Sequence, residues 1–166
     1  TYNAVNELIA TTDANGGVTT VAYDTFGDVV SSTQSIGGSN SVTTTRSYDR
    51  RGLQTEAVSD AGGANIVSRA QYDAFGRLID SVDGNGNVSS QSFDRLGRVV
   101  LTQDPTNAQR TTSYDAFGRV LTQTDALGNT TQYSYNTANR SMTVTTPEGV
   151  SVTTTHNAEG QTHSVT

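Results

Sequence analysis

Tyr114-Asp115-Ala116-Phe117-Gly118-Arg119-Val120 is the stretch on which the fold turns, because near-copies of it recur along the chain. Tyr72-Asp73-Ala74-Phe75-Gly76-Arg77-Leu78 and Phe93-Asp94-Arg95-Leu96-Gly97-Arg98-Val99 are almost the same phrase. Counted from the aromatic residue, copies begin at Tyr2, Tyr23, Tyr48, Tyr72, Phe93, Tyr114, Tyr135 and His156, at intervals of 21, 25, 24, 21, 21, 21 and 21 residues. A fixed period of this length marks a repeat architecture.

After each aromatic residue comes Asp or Asn, then two variable positions, then Gly or Asn. The instances are Asn3–Asn6, Asp24–Gly27, Asp49–Gly52, Asp73–Gly76, Asp94–Gly97, Asp115–Gly118, Asn136–Asn139 and Asn157–Gly160. Asp or Asn at the first position of a type I turn accepts backbone N–H groups. Gly or Asn tolerates the left-handed conformation that closes a three-residue hairpin with a bulge. A second turn lies halfway along the repeat, at Asp13–Gly16, Asp60–Gly63, Asp83–Gly86, Asp104–Asn107, Asp125–Gly128 and, as a variant, Thr146–Gly149. The only two prolines, Pro105 and Pro147, fall at the second position of such turns, where a fixed φ near −65° is wanted. Gln34–Asn40, with Gly37 and Gly38, reads as a looser version. Here and at Gly62-Gly63 the longer spacing is assigned to loop insertions.

The segments between turns are rich in Val, Thr, Ile, Leu and Tyr, which suit a pleated surface. Each repeat is thus two strands and two turns, and tight turns make successive strands antiparallel neighbours. The expectation is an all-β chain, a long antiparallel β-meander of sixteen strand segments, each about 20–23 Å long at roughly 3.3 Å per residue. After the first turn two adjacent positions are often both apolar, as in Leu8-Ile9, Val29-Val30, Leu78-Ile79, Val99-Val100 and Val120-Leu121. Because neighbouring strand residues face opposite ways, these pairs predict apolar character on both faces at that margin. One sheet layer covers such a stripe only by half, so packing against something outside residues 1–166 is expected.

Composition narrows the function. The formal net charge is −6, from 10 basic and 16 acidic residues, which argues against a nucleic-acid binder needing a clustered basic face. No apolar run approaches the length of a membrane span, and Thr1–Ala4 shows no signal-peptide pattern. With no Cys there are no disulfides or thiolate metal sites. Asp83-Gly84-Asn85-Gly86-Asn87 begins like a calcium loop, but Val88 stands where an EF-hand needs Gly, and turn chemistry accounts for it. His156 and His163 have no triad partners, and the carboxylates come one per turn rather than as a pair with split environments. No catalytic, cofactor-binding or metal site is expected.

Tyr-Asp-x-x-Gly-Arg-Leu/Val at this period resembles the YD repeat of the RHS family, over essentially the whole chain from Tyr2 to His163 and most clearly across residues 72–121. That family includes bacterial Rhs polymorphic toxins, wall-associated proteins, the C component of tripartite insecticidal toxins, and teneurins. The resemblance implies a curved or spiral sheet forming a hollow shell around a toxin or cargo domain, in a secreted or cell-surface protein. It implies as partners the neighbouring repeats of one long chain and the enclosed domain. The structural motif residues are Tyr23, Asp24, Gly27, Tyr72, Asp73, Gly76, Arg77, Phe93, Asp94, Gly97, Arg98, Tyr114, Asp115, Gly118, Arg119 and Tyr135. The chain is expected to be a single array of about eight repeats over residues 1–166, cut from a longer shell. The segment that cleaves the toxins ahead of their toxic domain is not among these residues. A different reading of the same sequence is an extracellular adhesive or filament-forming array, whose open sheet edges invite self-association or contact with a cell surface. Arg77, Arg98, Arg119 and Arg140 form a column after the first turn. Either they recognise an anionic cargo or glycan, or each bonds the Asp of its own or the next turn and lies over an aromatic ring.

Overall fold

The computed structural model describes residues 1–37 and 40–166. Every regular element among them is a strand, and none is a helix. The strands fall into two compact units, Thr1–Ser89 and Ser90–Thr166.

The first unit holds β1 (Ala10–Thr12), β2 (Val18–Tyr23), β3 (Val29–Gly37), β4 (Asn40–Tyr48), β5 (Gln54–Ser59), β6 (Ile66–Tyr72) and β7 (Leu78–Val82). Each from β1 to β6 pairs antiparallel with the next. The second unit takes in β8 (Val88–Phe93) from Ser90 onward. It continues with β9 (Val99–Gln103), β10 (Gln109–Tyr114), β11 (Val120–Thr124), β12 (Thr130–Asn136), β13 (Ser141–Thr145), β14 (Ser151–His156) and β15 (Thr162–Val165). These too pair in chain order, all antiparallel. The expected meander is the observed one. The sixteenth segment is reduced to a bridge between Tyr2 and Leu8.

The turns form because their side chains act on their own backbone. Asp115 Oδ1 accepts the N–H of Phe117 and of Arg119, both at 2.9 Å, while Gly118 N–H donates to the Asp115 carbonyl at 3.1 Å. Gly118 sits at φ +84, and Asn6 and Asn107 fill the equivalent place at +66 and +65. One first turn departs from the rule. At Asn136 the strands meet with Asn136 opposite Ser141 and no register shift, which leaves a four-residue loop. The left-handed residue there is Arg140, at φ +52, instead of Asn139.

Three expectations are corrected. The long spacing after Tyr23 is taken up by strand: Gln34–Gly37 extend β3 and Asn40 opens β4, so both strands run nine residues. Gly38, part of the looser turn read from the sequence, lies outside the described residues. Ser, Thr and Val continue a ladder as readily as they fill a loop, so the added residues lengthened the hairpin. By contrast, the spacing after Tyr48 does reside in a loop. Asp60–Asn65 is broader than the tight turn expected there, with Asp60, Gly62 and Asn65 all at positive φ.

The apolar pairs are the third correction. Except at Tyr135, register slips by one residue beside the aromatic of each strand pair: Ser113 faces Thr122, but Tyr114 faces Val120. Two residues of β11 therefore oppose one of β10, a β-bulge. Alternation then puts Val120 and Leu121 both on the Tyr114 side. The same slip recurs at Tyr23, Tyr48, Tyr72 and Phe93. The aliphatic pairs consequently gather on one face instead of dividing between two.

No side chain among the described residues is fully buried, apolar or polar. Cohesion comes from the strand ladder and cross-strand pairs in place of a core. In the second unit, one face is a carpet of hydroxyls and amides. Ser113, Thr122, Gln132, Thr145 and Ser151 form one cross-strand row. Beside it run Leu101–Thr111–Thr124–Thr130, in which Leu101 is the apolar member, and Ser134–Thr143–Thr153. Hydroxyls close across the strands at 2.6 Å (Ser113–Thr122), 2.8 Å (Thr124–Thr130 and Thr143–Thr153) and 2.9 Å (Thr145–Ser151). These rows contain no charged residue. The opposite face carries the row Tyr133–Val144–Val152 and the pair Tyr135–Met142.

Candidate functional site

The motif residues assemble into a ladder that links each repeat to the one before it. Tyr135 donates its hydroxyl to the Val120 carbonyl at 2.9 Å, and Tyr114 donates to Val99 at 3.0 Å. In the first unit Tyr23 reaches Leu8 at 2.9 Å, Tyr48 reaches Val29 at 2.8 Å and Tyr72 reaches Gln54 at 3.0 Å. In every case the acceptor is the sixth residue after the preceding aromatic. Each bond contributes about 0.5–1.5 kcal/mol net, and each ties down the tip of the hairpin before it. Phe93 occupies the same position without a hydroxyl. His156 pairs with Thr162 and receives at its backbone the register slip seen at the tyrosines.

Arginine adds a second rung. Arg98 Nε bonds Asp94 Oδ2 at 2.6 Å, its Nη1 donates to the Asp115 carbonyl at 3.1 Å, and its guanidinium lies 4.4 Å from the Tyr114 ring centre. Arg119 bonds Asp115 at 2.7 Å and lies 4.2 Å from the ring of Tyr135. Arg77 bonds Asp73 at 2.6 Å and stands 5.1 Å over Phe75. A planar guanidinium can stack on a ring and bond a carboxylate with its edge at once, which an ammonium cannot do as well. The geometry thus takes the second of the two readings of the arginine column, with one exception. Arg140 has Asn136 where its carboxylate would be, and it makes no ion pair among the described residues.

Arg51 performs the same task from a different position, two residues after Asp49 instead of four. Its Nε and Nη2 bond Asp49 Oδ2 at 2.9 and 2.6 Å, and its Nη1 donates to the Asp73 carbonyl at 2.6 Å. Reading the sequence as a strict column missed it. The signal available was an Arg following an Asp in a repeat that has Leu53 at the usual arginine position. The carbonyl acceptors of the tyrosines carry no sequence signal, since any residue supplies one. Asp24 and Gly27 form the turn after Tyr23, with Asp28 in the arginine position.

The carboxylates respond to these partners. At Asp49 the Arg51 side chain holds the carboxyl below the ordinary range. At Asp73 and Asp115 partial desolvation pushes upward, but the arginine and backbone N–H bonds outweigh it and both end lowered. Asp94 is lowered chiefly by the Arg98 N–H. At the other edge, Asn87 and Asn129 donate to Asp83 and Asp125 and lower both. None has a second carboxylate or a histidine arranged for proton transfer, and no group of three metal-ligating side chains occurs among the described residues.

The sequence matches the RHS repeat family over residues 2–39, 72–109 and 114–151. The chain belongs to that family. Its fold is similar to the solved structures of TcdB2–TccC3–Cdc42 (15% identity, TM-score 0.51) and of TcdB2–TccC3 without its hypervariable C-terminal region (14%, 0.52). It is also similar to the Photorhabdus luminescens Tc holotoxin pore (14%, 0.50). These alignments cover 95%, 98% and 95% of this chain but only 11%, 11% and 10% of the matched chains. The chain thus spans about a tenth of the length of those chains. No curated relative matches. The RHS repeat here is a structural element: its signature residues make turns and join hairpins.

Proposed function

We propose that the chain is part of the wall of a hollow RHS shell that encloses a toxin or other cargo domain until delivery. In this reading residues 1–166 are one array of about eight repeats within a longer shell. The neighbouring repeats and the enclosed domain are its partners, and the whole protein is secreted or displayed by a bacterium. The mechanism is steric containment, with no chemistry asked of the wall.

The observation that carries this reading is the hydroxyl-and-amide face of the second unit. A lining for an enclosed chain should offer hydrogen bonds without large apolar patches, which bind unfolded segments, and without fixed charge. The rows from Ser113 to Ser151 meet both conditions. The opposite face, with its tyrosines and aliphatic pairs, is then the one covered elsewhere in the shell. Limited proteolysis of the intact parent protein tests this. The cargo region should resist cleavage while the wall is folded and become sensitive once the wall is unfolded. Cargo cut as fast in the native protein as in isolation would refute containment.

A further inference from the structure

Arg140 stands in the arginine column without the carboxylate its sisters have, and the residues around it differ in the same direction. At Arg98 and Arg119 the guanidinium bonds an Asp four residues earlier and lies over the aromatic ring that opens the next repeat. Four residues before Arg140 is Asn136, and the next repeat opens with His156. The His156 N–H donates to the Arg140 carbonyl at 3.1 Å, so the two residues are direct neighbours across the strands. Asn136 uses its Oδ1 to accept the N–H groups of Ala138 and Asn139, at 3.0 and 3.4 Å. A side-chain amide has one oxygen only, so what Asn136 has left is an NH2 donor where Asp115 offers Oδ2 to Arg119.

Arg140, Asn136 and His156 line a cleft of about 400 Å³ together with Arg119, Tyr135 and Met142. Among the described residues no Asp or Glu lines it. Arg119 is already bonded to Asp115 and stacked on Tyr135, so it serves as wall. The cleft therefore sets a guanidinium, an amide and an imidazole beside an apolar floor made by the Tyr135 ring and Met142. Its volume falls in the range of small-molecule sites, roughly 300–1,000 Å³.

We propose that this cleft binds a small organic carboxylate with an apolar body. The ligand's two oxygens take the edge of the Arg140 guanidinium, as an Asp carboxylate does in the sister repeats, with the Asn136 amide and the His156 ring as further donors. Its body rests on Tyr135 and Met142. A carboxylate is favoured over inorganic phosphate because a flat two-oxygen group matches the guanidinium fork and because the floor rewards a body that phosphate lacks. The site goes beyond containment and holds whatever the wall encloses. The same chemistry is carried by an Asp or Glu side chain of the parent chain, and the test separates the two sources.

Proton–nitrogen NMR spectra of the whole 166-residue chain, titrated with sodium benzoate, test it. Shifts should gather at the Arg140 Nε–H and at the Ser141 and His156 amides, with a Kd of about 1–10 mM, as suits so small a ligand. The Nε–H groups of Arg98 and Arg119, already bonded to Asp94 and Asp115, should stay in place and serve as internal controls. Benzyl alcohol, which keeps the ring and lacks the charge, and inorganic phosphate should each bind about tenfold more weakly or worse. Arg140→Gln should weaken benzoate binding about tenfold or more, and so should Asn136→Asp, which supplies an internal carboxylate and can still form the turn. The same spectra show whether each variant is folded, and the comparison of ligands on the unmodified chain needs no substitution. Equal shifts at Arg98, Arg119 and Arg140, benzyl alcohol or phosphate binding as well as benzoate, or unchanged binding in folded Arg140→Gln would each overturn the proposal. Saturation transfer to benzoate is then compared between the intact parent protein and its Arg140→Gln form. A signal lost on substitution supports a free carboxylate as the ligand; equal signals would mean that the parent chain itself fills the cleft, and would overturn it.

Discussion

Replacing Gly118 isolates the step that closes the first turn. Gly118 lies at φ +84, a region that costs an ordinary L-residue roughly 1–2 kcal/mol. Space is not the obstacle: a Cβ built there would meet its nearest neighbour, Arg98 Nη1, at 3.7 Å, an ordinary contact. Gly118→Ala therefore probes backbone strain nearly alone. Alanine also narrows the unfolded ensemble, returning about 0.4–1 kcal/mol, so the net loss should be about 1 kcal/mol. For a chain of this size that corresponds to a fall in Tm of roughly 2–4 °C. Asparagine is the internal control, because Asn6 and Asn107 occupy the same place in sister turns at φ +66 and +65, and Gly118→Asn should cost only a few tenths of a kcal/mol. Urea unfolding followed by circular dichroism supplies both values. Hydrogen exchange at Phe117 and Arg119 N–H localises the loss to this hairpin, since repeat arrays open by parts. Equal cost for Ala and Asn would mean that left-handed tolerance is not what selects this residue, and the turn argument would fail.

Tyr135→Phe removes one hydroxyl bond to the Val120 carbonyl and should destabilise by about 0.5–1.5 kcal/mol, read by urea titration; a neutral result would make the tyrosine ladder ornamental. Arg140→Gly should stabilise by up to about 1 kcal/mol, because it relieves a non-glycine residue at φ +52 that makes no ion pair among the described residues; a loss of stability in the same titration would contradict it. Acid should weaken the sheet. The turn carboxylates have folded pKa values below their unfolded ones. Their contribution is thus full above the unfolded value near about 4 and is lost as pH falls through the lower folded values. Melting temperatures should be level from about pH 5 to 8 and drop below about pH 4, and less steeply once Asp83 and Asp125 are changed to Asn. A melting temperature that holds level down to about pH 2 would remove the carboxylates from the account.

What could be read from the residues was what depends on near neighbours. Asp115 makes its turn with atoms two and four residues away, so its chemistry is written in the heptad Tyr114–Val120. The same locality explains the misreadings. Whether Asn139 or Arg140 turns left-handed is decided by how Asn136 registers against Ser141 on the partner strand. Val120-Leu121 looked two-faced because strict alternation was assumed, and the bulge opposite Tyr114 that reorients them is a pairing event between strands. Ser35 and Ile36 gave no sign of strand over loop, because a polar hairpin arm and a polar loop share a composition. The tyrosine acceptors were invisible for a plainer reason: a backbone carbonyl has no letter in a sequence.

The reach of the ladder bonds bears on how such a chain can change over generations. Tyr135 touches the repeat before it, Arg98 the repeat after it, and the ladder goes no further. With no side chain fully buried among the described residues, no distant residue has to accommodate a gain or loss of 21 positions. A whole unit can be copied in or dropped out by a single genetic event, and the two flanking hairpins find the same carbonyls, rings and carboxylates they had before. Growth by tandem duplication is thus nearly free of packing conflict, while a gain of one or two residues inside a strand would throw the bulge out of step with its tyrosine.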